Sequence, residues 1–468
     1  MKNSNSSIGK ITSFYFLHIP KTGGTSLQYW LTDLFLDLFP ASQNMPYVII
    51  EELDNISPEE INQYKLFMGH FGLKLYDYLL EMPTTITWLR DPVLREISDY
   101  FYKKESYEYL VSISEDHNSE WIKYYEFVNQ CSLSELCQSG AFIGYSDNLQ
   151  VRHLSGIFPQ QGYVECTQTM LEEAKNNLKN LFYFGICEWM ASSIDLLNYY
   201  LDYPSRPLAI NSNQGKVSAK KRLKQFTEED IKIISHVNRY DVELYNFAKQ
   251  EFSRRFQEMY QQYDNYISLK DIPEILNNYK NSPIQTSTHQ ILYKNFQLKN
   301  YDIEQKDQIN FTFNDQAFLS NWYEREFSSD KVFRWAGLDT TSTIFFPLKP
   351  NKNYQIQFNI INYISLDIID SLKLQVNQSD ILLTKVVIPA TESTQNMDTF
   401  LVHGQIPAQL ISKNQPFTEI KLIVDKTVAK EVTTSNNLVE VRNFSFAIDT
   451  IIIQVKESQT PIISSKET

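Results

Sequence analysis

Phe14-Tyr15-Phe16-Leu17-His18-Ile19-Pro20-Lys21-Thr22-Gly23-Gly24-Thr25-Ser26 decides how the chain is read. It opens with an apolar, aromatic-rich run of the kind that forms a buried strand. Pro20, Gly23 and Gly24 then make a tight turn, and Ser26-Leu27-Gln28-Tyr29-Trp30-Leu31 begins a helix. Leu27, Trp30, Leu31, Leu34, Phe35 and Leu38 recur at helical spacing and form the face that would lie on a sheet. The unit is strand, glycine loop, helix. Glycine lets the main chain approach a ligand closely, and the N–H groups of a helix's first turn have no acceptor within the helix. With the helix dipole behind them they suit a phosphate or sulfate, and Lys21 adds a positive charge beside it. The pattern G-x-x-x-x-G-K-S/T is absent, so this is not a Walker A loop.

Outward from this unit, Tyr47-Val48-Ile49-Ile50 reads as a second strand. Ser57-Pro58-Glu59-Glu60 is a helix start, with a serine cap, proline at the first position and acids near the positive end of the dipole. Tyr64 to Gly69 reads as a third strand, running into His70, and Thr84 to Leu89 as a fourth, running into Arg90-Asp91-Pro92. That proline opens a helix through Arg95, Ser98 and Tyr102. Strands alternating with helices predict a parallel α/β sheet, in which ligands sit beyond the carboxyl ends of the strands. Lys21, His70 and Arg90 each follow a strand directly and are expected to line one crevice.

From about residue 105 to 260 the pattern is mainly helical, interrupted by the strand-like Leu181 to Ile186 and then Cys187-Glu188-Trp189. Lys216, Lys220, Lys221, Arg222 and Lys224 form a basic cluster, either a solvated face or a neighbour of an anionic substrate. Residues 261–305 are polar and tyrosine-rich and read as a linker with a short helix. Beyond them come short β-branched or alternating runs, among them Ile309–Phe313, Tyr354–Asn362, Ile381–Val387 and Ile451–Val455. Such spacing predicts a β-sandwich, jelly-roll-like, over 306–468, after a first domain over 1–260. Asn321-Trp322-Tyr323 and Phe333-Arg334-Trp335 read either as sugar-stacking surface aromatics or, preferably, as core.

The chain has 468 residues, too many for one ordinary core. Its net charge of −13 argues against broad nucleic-acid binding. The four cysteines include no C-x-x-C pair, so neither a zinc site nor a disulfide framework is expected, and reduced thiols point to a cytoplasmic protein. The polar start Met1-Lys2-Asn3-Ser4 leaves no room for a signal peptide before the first strand, and no apolar run is long enough to span a bilayer.

Two motifs resemble one family. His18 to Ser26 looks like the 5′-phosphosulfate loop of sulfotransferases, and Leu89-Arg90-Asp91-Pro92-Val93-Leu94-Arg95-Glu96-Ile97-Ser98 looks like their 3′-phosphate motif. The nearest branch is that of heparan sulfate 2-O-sulfotransferase and related polysaccharide sulfotransferases. Asp147 to Gly156 and Phe184 to Glu188 also look like segments of it, and within the former Asn148 and Arg152 are candidate substrate-binding residues. The resemblance spans roughly residues 12 to 255. It implies a P-loop-type α/β fold, the donor 3′-phosphoadenosine-5′-phosphosulfate and a glycan or glycolipid acceptor, with no metal.

The chemistry of the residues agrees. Lys21, Thr22, Gly23, Gly24, Thr25 and Ser26 would hold the 5′ end, and Arg90 with Ser98 the 3′-phosphate. Lys21 would neutralise the leaving phosphate. His70, a group that titrates near neutral pH, would take the acceptor proton, with Glu51 and Glu52 as rival bases. The branch has a second histidine before the glycine where this chain has Met68. His18 reads as structural and His153 as a lesser site candidate. Two other readings compete: a nucleotide kinase, and a glycan-binding or scaffold protein with a degenerate nucleotide site. Oligomeric state is left open.

Overall fold

The structure, a computed structural model, describes residues 11–38, 48–50, 57–113, 120–140, 147–157, 164–201, 218–261, 267–279, 288, 305–315, 318–328, 331–390, 398–413, 417–433 and 439–456. The chain divides into two compact units, Met1–Tyr203 with Ser212–Asn295, and Phe296–Thr468 with Pro204–Asn211.

The first unit is built on strands β1 (Phe14–Leu17), β2 (Val48–Ile50), β3 (Leu66–Gly69), β4 (Thr84–Leu89) and β5 (Tyr183–Ile186). They form one sheet in the order β2-β3-β1-β4-β5, and every pairing is parallel. Its helices are α1 (Gly24–Leu38), α2 (Pro58–Ile61), α3 (Pro92–Ile113), α4 (Glu120–Gln130), α5 (Leu133–Ser139), α6 (Leu149–Ser155), α7 (Gln168–Asn180), α8 (Met190–Leu201), α9 (Ala219–Arg222), α10 (Glu228–Val237), α11 (Arg239–Gln261) and α12 (Ile272–Asn277). The expected alternation of strands and helices is therefore present. Strands β1, β3 and β5 are buried along their whole length, as parallel strands covered on both faces must be. On α1, the expected apolar stripe Leu27, Trp30, Leu31, Leu34 and Phe35 is buried. Ser57 caps α2 by accepting the Glu60 N–H at 3.1 Å.

The connection leaving β1 runs to the β2 side of the sheet, whereas β4 lies on the other side of β1 and leads on to β5. The strand order thus reverses direction between β1 and β4, which opens a crevice at their carboxyl ends. Register sets what borders it. Leu17 pairs with both Gly69 and Thr87, so β1 and β3 end level and β4 extends beyond them to Leu89.

Within the expected linker over 261–305 the short helix is present as α12, but the described residues 267–279 belong to the first unit. Ile272, Leu276 and Tyr279 are buried in the first unit. Trp189 Nε1 donates to Asn277 Oδ1 at 2.8 Å, and the Tyr279 hydroxyl donates to Asp195 at 2.9 Å. Polar, tyrosine-rich composition reads as a spacer because a tyrosine such as Tyr279 can bury its ring while its hydroxyl goes to a polar partner.

The second unit is antiparallel. Its strands are β6 (Gln308–Thr312), β7 (Phe318–Ser320), β8 (Glu326–Ser328), β9 (Lys331–Trp335), β10 (Thr341–Phe346), β11 (Tyr354–Tyr363), β12 (Lys373–Val376), β13 (Ser379–Ile381), β14 (Leu383–Ile388), β15 (Thr399–Ile406), β16 (Thr418–Ile423), β17 (Val428–Thr433), β18 (Val439–Phe444) and β19 (Phe446–Val455). One sheet runs β13-β12-β16-β10-β7, a second runs β14-β15-β11-β19-β9-β8 with β6 also beside β19, and β17 pairs with β18. Both large sheets send residues into one apolar core, Ile344, Leu374 and Ile420 from the first and Ile356, Val402 and Ile453 from the second. The run Ile381–Val387, read as one strand, is two: β13 pairs with β12, β14 with β15, and Leu382 between them is 92% exposed. The chain changes sheets there, which an unbroken apolar run hides.

Candidate active site

Three loops meet at the β1/β4 crevice. In the loop after β1, Lys21 and Gly23 have left-handed backbone, with φ of 68° and 87°. The Thr22 hydroxyl donates to the Ile19 carbonyl at 2.8 Å and closes the turn. Gly23 is favoured by that left-handed backbone, and a Cβ there would press only on Met190 Cε, the movable end of a side chain, at 3.0 Å. Gly24 is required by close approach, because a Cβ there would fall 1.6 Å from His18 Nε2. The glycines thus let the loop pass beneath a histidine ring and enter α1, whose first-turn N–H groups, those of Thr25 and Ser26 included, have no intrahelical acceptor.

Lys21 is half-buried, with Nζ 3.9 Å from the centre of the Tyr102 ring on α3. Burial pushes its pKa down to about 8, with Arg90 and Lys103 adding to the fall and Asp99 opposing it. The ammonium is therefore still mostly protonated at neutral pH, and an anion placed beside it would be strongly attracted. Ser98 is half-buried one turn before Tyr102, on the helical face that meets Lys21.

His70, after β3, is exposed, and its Nδ1 lies 2.7 Å from the His18 carbonyl oxygen. A carbonyl only accepts, so Nδ1 carries the proton and the basic lone pair of the neutral ring is on Nε2. The His70 and His18 rings are 4.5 Å apart, and His18 stacks on Phe16 at 5.3 Å. Burial, reinforced by His70, holds the His18 pKa well below the ordinary histidine range, so His18 is a neutral support for its neighbour. His153 is buried, donates from Nδ1 to the Leu149 carbonyl at 2.7 Å, and burial pushes its pKa down to about 3.

Arg90, after β4, donates from Nη1 to the Lys21 carbonyl at 2.8 Å and ties its loop to the glycine loop. Its Nε lies 3.9 Å from Glu188, the residue that follows β5 by two. Glu188 also accepts the Asp91 N–H at 3.3 Å and the Tyr245 hydroxyl at 2.7 Å, and burial raises its pKa. Below Lys21, α3 carries a buried ionic row in which Arg95 pairs with Glu96 and Asp99 with Lys103. Burial raises the Glu96 carboxyl to about 7. Lys103 also donates to the Tyr124 hydroxyl at 2.9 Å.

The structure brings Lys21, His70 and Arg90 together as the sequence reading expected, and puts Ser98 on the face that meets the lysine. Asn148 and Arg152 are corrected: both are interior residues with their polar atoms used within the fold. Arg152 is fully buried, binds Asp147 at 2.8 and 3.0 Å and donates to the Val164 carbonyl at 2.9 Å. Asn148 Oδ1 accepts the Tyr240 and Asp241 N–H groups at 3.0 and 3.2 Å, capping α11, while Asp241 accepts the Gln150 and Val151 N–H groups and caps α6. Glu51, Glu52 and Lys216 lie outside the described residues. Arg222 of the basic cluster is buried against Phe101 and paired with Glu105, whereas Lys220, Lys221 and Lys224 are exposed. Of the aromatics in the second unit, Trp322, Tyr323 and Phe333 are buried, so the core reading describes them. Among the described residues, no group of acidic, histidine and cysteine side chains could hold a metal ion, and no helix is long and apolar enough to cross a membrane.

No family model and no curated protein matches the chain. Among solved structures, a Podospora anserina GH26-CBM35 β-(1,4)-mannanase is similar at 15% identity and a TM-score of 0.20, over 33% of this chain and 29% of that one. A family 35 carbohydrate binding module from Clostridium thermocellum is similar at 8% identity and a TM-score of 0.19, over 32% of this chain and 98% of that one. A family GH115 4-O-methyl-α-glucuronidase with specificity for decorated arabinogalactans covers 80% of this chain and 51% of that one at 9% identity and a TM-score of 0.15. At these scores the architecture rests on the strand orders given above.

Proposed function

We propose that the chain is a sulfotransferase that moves a sulfuryl group from 3′-phosphoadenosine-5′-phosphosulfate to a hydroxyl of a glycan or glycolipid. The observation that carries this reading is the hydrogen bond from Arg90 to the Lys21 carbonyl. It joins an anion-binding glycine loop to a guanidinium at the one crevice where the strand order reverses, and the donor has an anionic group at each end. The P-loop-type identity of the first unit, the sandwich character of the second and the acceptor class belong to this reading, supported by the two sequence motifs. A cytoplasmic location also belongs to it, and the four free thiols fit a reducing compartment.

The acceptor oxygen attacks sulfur as the bond from sulfur to the bridging phosphate oxygen breaks. His70 Nε2 takes the acceptor proton, and Lys21 faces the negative charge that gathers on the departing 3′,5′-bisphosphate. Positioning and electrostatics would supply most of the acceleration, by analogy with phosphoryl transfer. His18 keeps the His70 ring oriented through the Nδ1 bond and the ring contact.

Calorimetry with adenosine 3′,5′-bisphosphate, AMP and ATP tests the reading, followed by transfer from labelled donor to a panel of glycans and glycolipids. The bisphosphate should bind more tightly than AMP, and Arg90→Ala should remove about 1.5–3 kcal/mol of that preference. A preference for ATP would favour a kinase, and donor binding without transfer to any acceptor would favour a binding protein.

A further inference from the structure

Arg90 sits in the turn between β4 and α3, where neither strand pairing nor helix bonding fixes its backbone. One side chain does. Gln150 Oε1 accepts the Arg90 N–H at 2.9 Å, and Gln150 Nε2 donates to the Arg90 carbonyl at 3.0 Å. These two groups belong to the peptide planes on either side of the Arg90 Cα, so one carboxamide restrains both of its backbone torsions. Gln150 is itself fully buried and cannot swivel. Its N–H is held by Asp241 at 3.1 Å, and the start of α6 is locked to the start of α11 by the Asn148 caps. We propose that Gln150 is the positioning residue that aims Arg90 at the 3′-phosphate of the donor, an inference that rests on the sulfotransferase reading.

A carboxamide is the side chain that suits this place, because it offers one acceptor and one donor side by side. Glutamate has the same shape but two acceptors, so when ionised it would turn one oxygen toward the Arg90 carbonyl oxygen. Protonation restores a donor. The charged groups that bear on this position are Asp241 from α11 with the buried Arg95 of α3 acting on it, Arg90 and Glu188 from the strand ends, and Asp147 with Arg152 beside the start of α6. Burial would disfavour the charged form of a glutamate there and Asp241 adds to this while it is ionised, its own pKa being raised to about 6, whereas Arg90 and Arg95 oppose it.

The test uses the full chain, with Gln150→Ala and Gln150→Glu compared with the parent by calorimetry against adenosine 3′,5′-bisphosphate and AMP, at neutral and at acid pH. Gln150→Ala should weaken the bisphosphate about tenfold and AMP by clearly less, since AMP feels the change only through the Arg90 bond to the Lys21 carbonyl. Gln150→Glu should be weak at neutral pH and recover relative to the parent as the pH falls, which a merely structural role would not produce. Parent-like preference for the bisphosphate in Gln150→Ala, or a pH-independent ratio for Gln150→Glu, overturns the proposal. Amide hydrogen exchange at Arg90 separates this inference from the donor reading. If the parent itself does not prefer the bisphosphate, the donor reading falls. Faster exchange confined to the Arg90 turn in either variant would then retain Gln150 as the residue that fixes Arg90, and unchanged exchange would remove it. Gln150→Glu, which conserves volume, decides the matter should the alanine variant fail to fold.

Discussion

Gly24→Ala is expected to destabilise the protein, against what helix propensity alone would give. Within a helix, alanine is favoured over glycine by about 0.5–1 kcal/mol. Here the new methyl would lie 1.6 Å from His18 Nε2, 2.1 Å from Cδ2 and 2.2 Å from Cε1. Reaching even 3.0 Å, a separation below which real Cβ atoms are essentially never found, needs a retreat of 3.0 − 1.6 = 1.4 Å. The ring has little freedom to retreat, with Phe16 stacked on it at 5.3 Å and His70 against it at 4.5 Å. Overpacking of this kind costs about 1–3 kcal/mol, enough to reverse the propensity gain. The alternative response, a shift of the start of α1, carries the glycine loop with it and lowers anion affinity. Urea unfolding would read the first effect and calorimetry with adenosine 3′,5′-bisphosphate the second. Adding His18→Ala removes the clashing ring and keeps the His18 carbonyl that holds His70. In the Gly24→Ala background it should therefore restore stability, with a coupling of about 0.5–3 kcal/mol in a double-mutant cycle. A Gly24→Ala protein at least as stable as the parent, or strictly additive effects of the two changes, would refute the reasoning.

Lys21→Ala should weaken donor binding and reduce turnover by about 10²–10³, and parent donor affinity should fall as pH rises through the lysine's value of about 8, both measurable by calorimetry and single-turnover assay. His70→Ala should reduce turnover by about 10²–10⁴ and leave donor affinity nearly intact; near-normal transfer would shift the search for the base to Glu51 or Glu52. His153 titrates near 6.5 when unfolded but only near 3 in the fold, so the unfolded chain binds the extra proton and stability is lost as pH falls between those values. The loss is about 1.4 kcal/mol per pH unit, and His153→Gln, able to donate to the same carbonyl, should flatten it in urea titrations at about pH 7 and about pH 4. A chain ending at Asn295 should fold by itself, whereas one ending at Gln261 should not, because it lacks the buried Ile272, Leu276 and Tyr279; circular dichroism melts would distinguish them.

What was legible in the sequence was whatever shows as a local pattern. Aromatic runs gave the parallel strands, proline and serine marked the starts of α2 and α3, and position directly after a strand was enough to gather Lys21, His70 and Arg90. The losses were residues whose polar partners lie inside the fold, most of them main-chain groups that no local pattern marks. Asn148 and Arg152 carry the polar chemistry expected of a binding site, yet that chemistry is spent on Tyr240, Asp241, Asp147 and Val164. No local pattern separates an arginine that meets a ligand from one that satisfies a buried carbonyl. Gln150 went unassigned for the same reason: its partner is the backbone of a residue 60 positions earlier, and a backbone amide has no residue type to recognise. The division of labour follows from the fold. Parallel strands deliver reactive side chains to one edge but leave the turns that carry them without sheet or helix bonds. Those turns and the side chains they carry must then be fixed by polar groups from elsewhere, here Gln150 for Arg90, the Arg90 guanidinium for the Lys21 loop, and the His18 carbonyl for the His70 ring. Gln150, Arg90 and the Lys21 loop are linked in series, whereas the His70 ring hangs on a separate bond, so substitutions at Gln150 should disturb Arg90 first and spare the His70 ring.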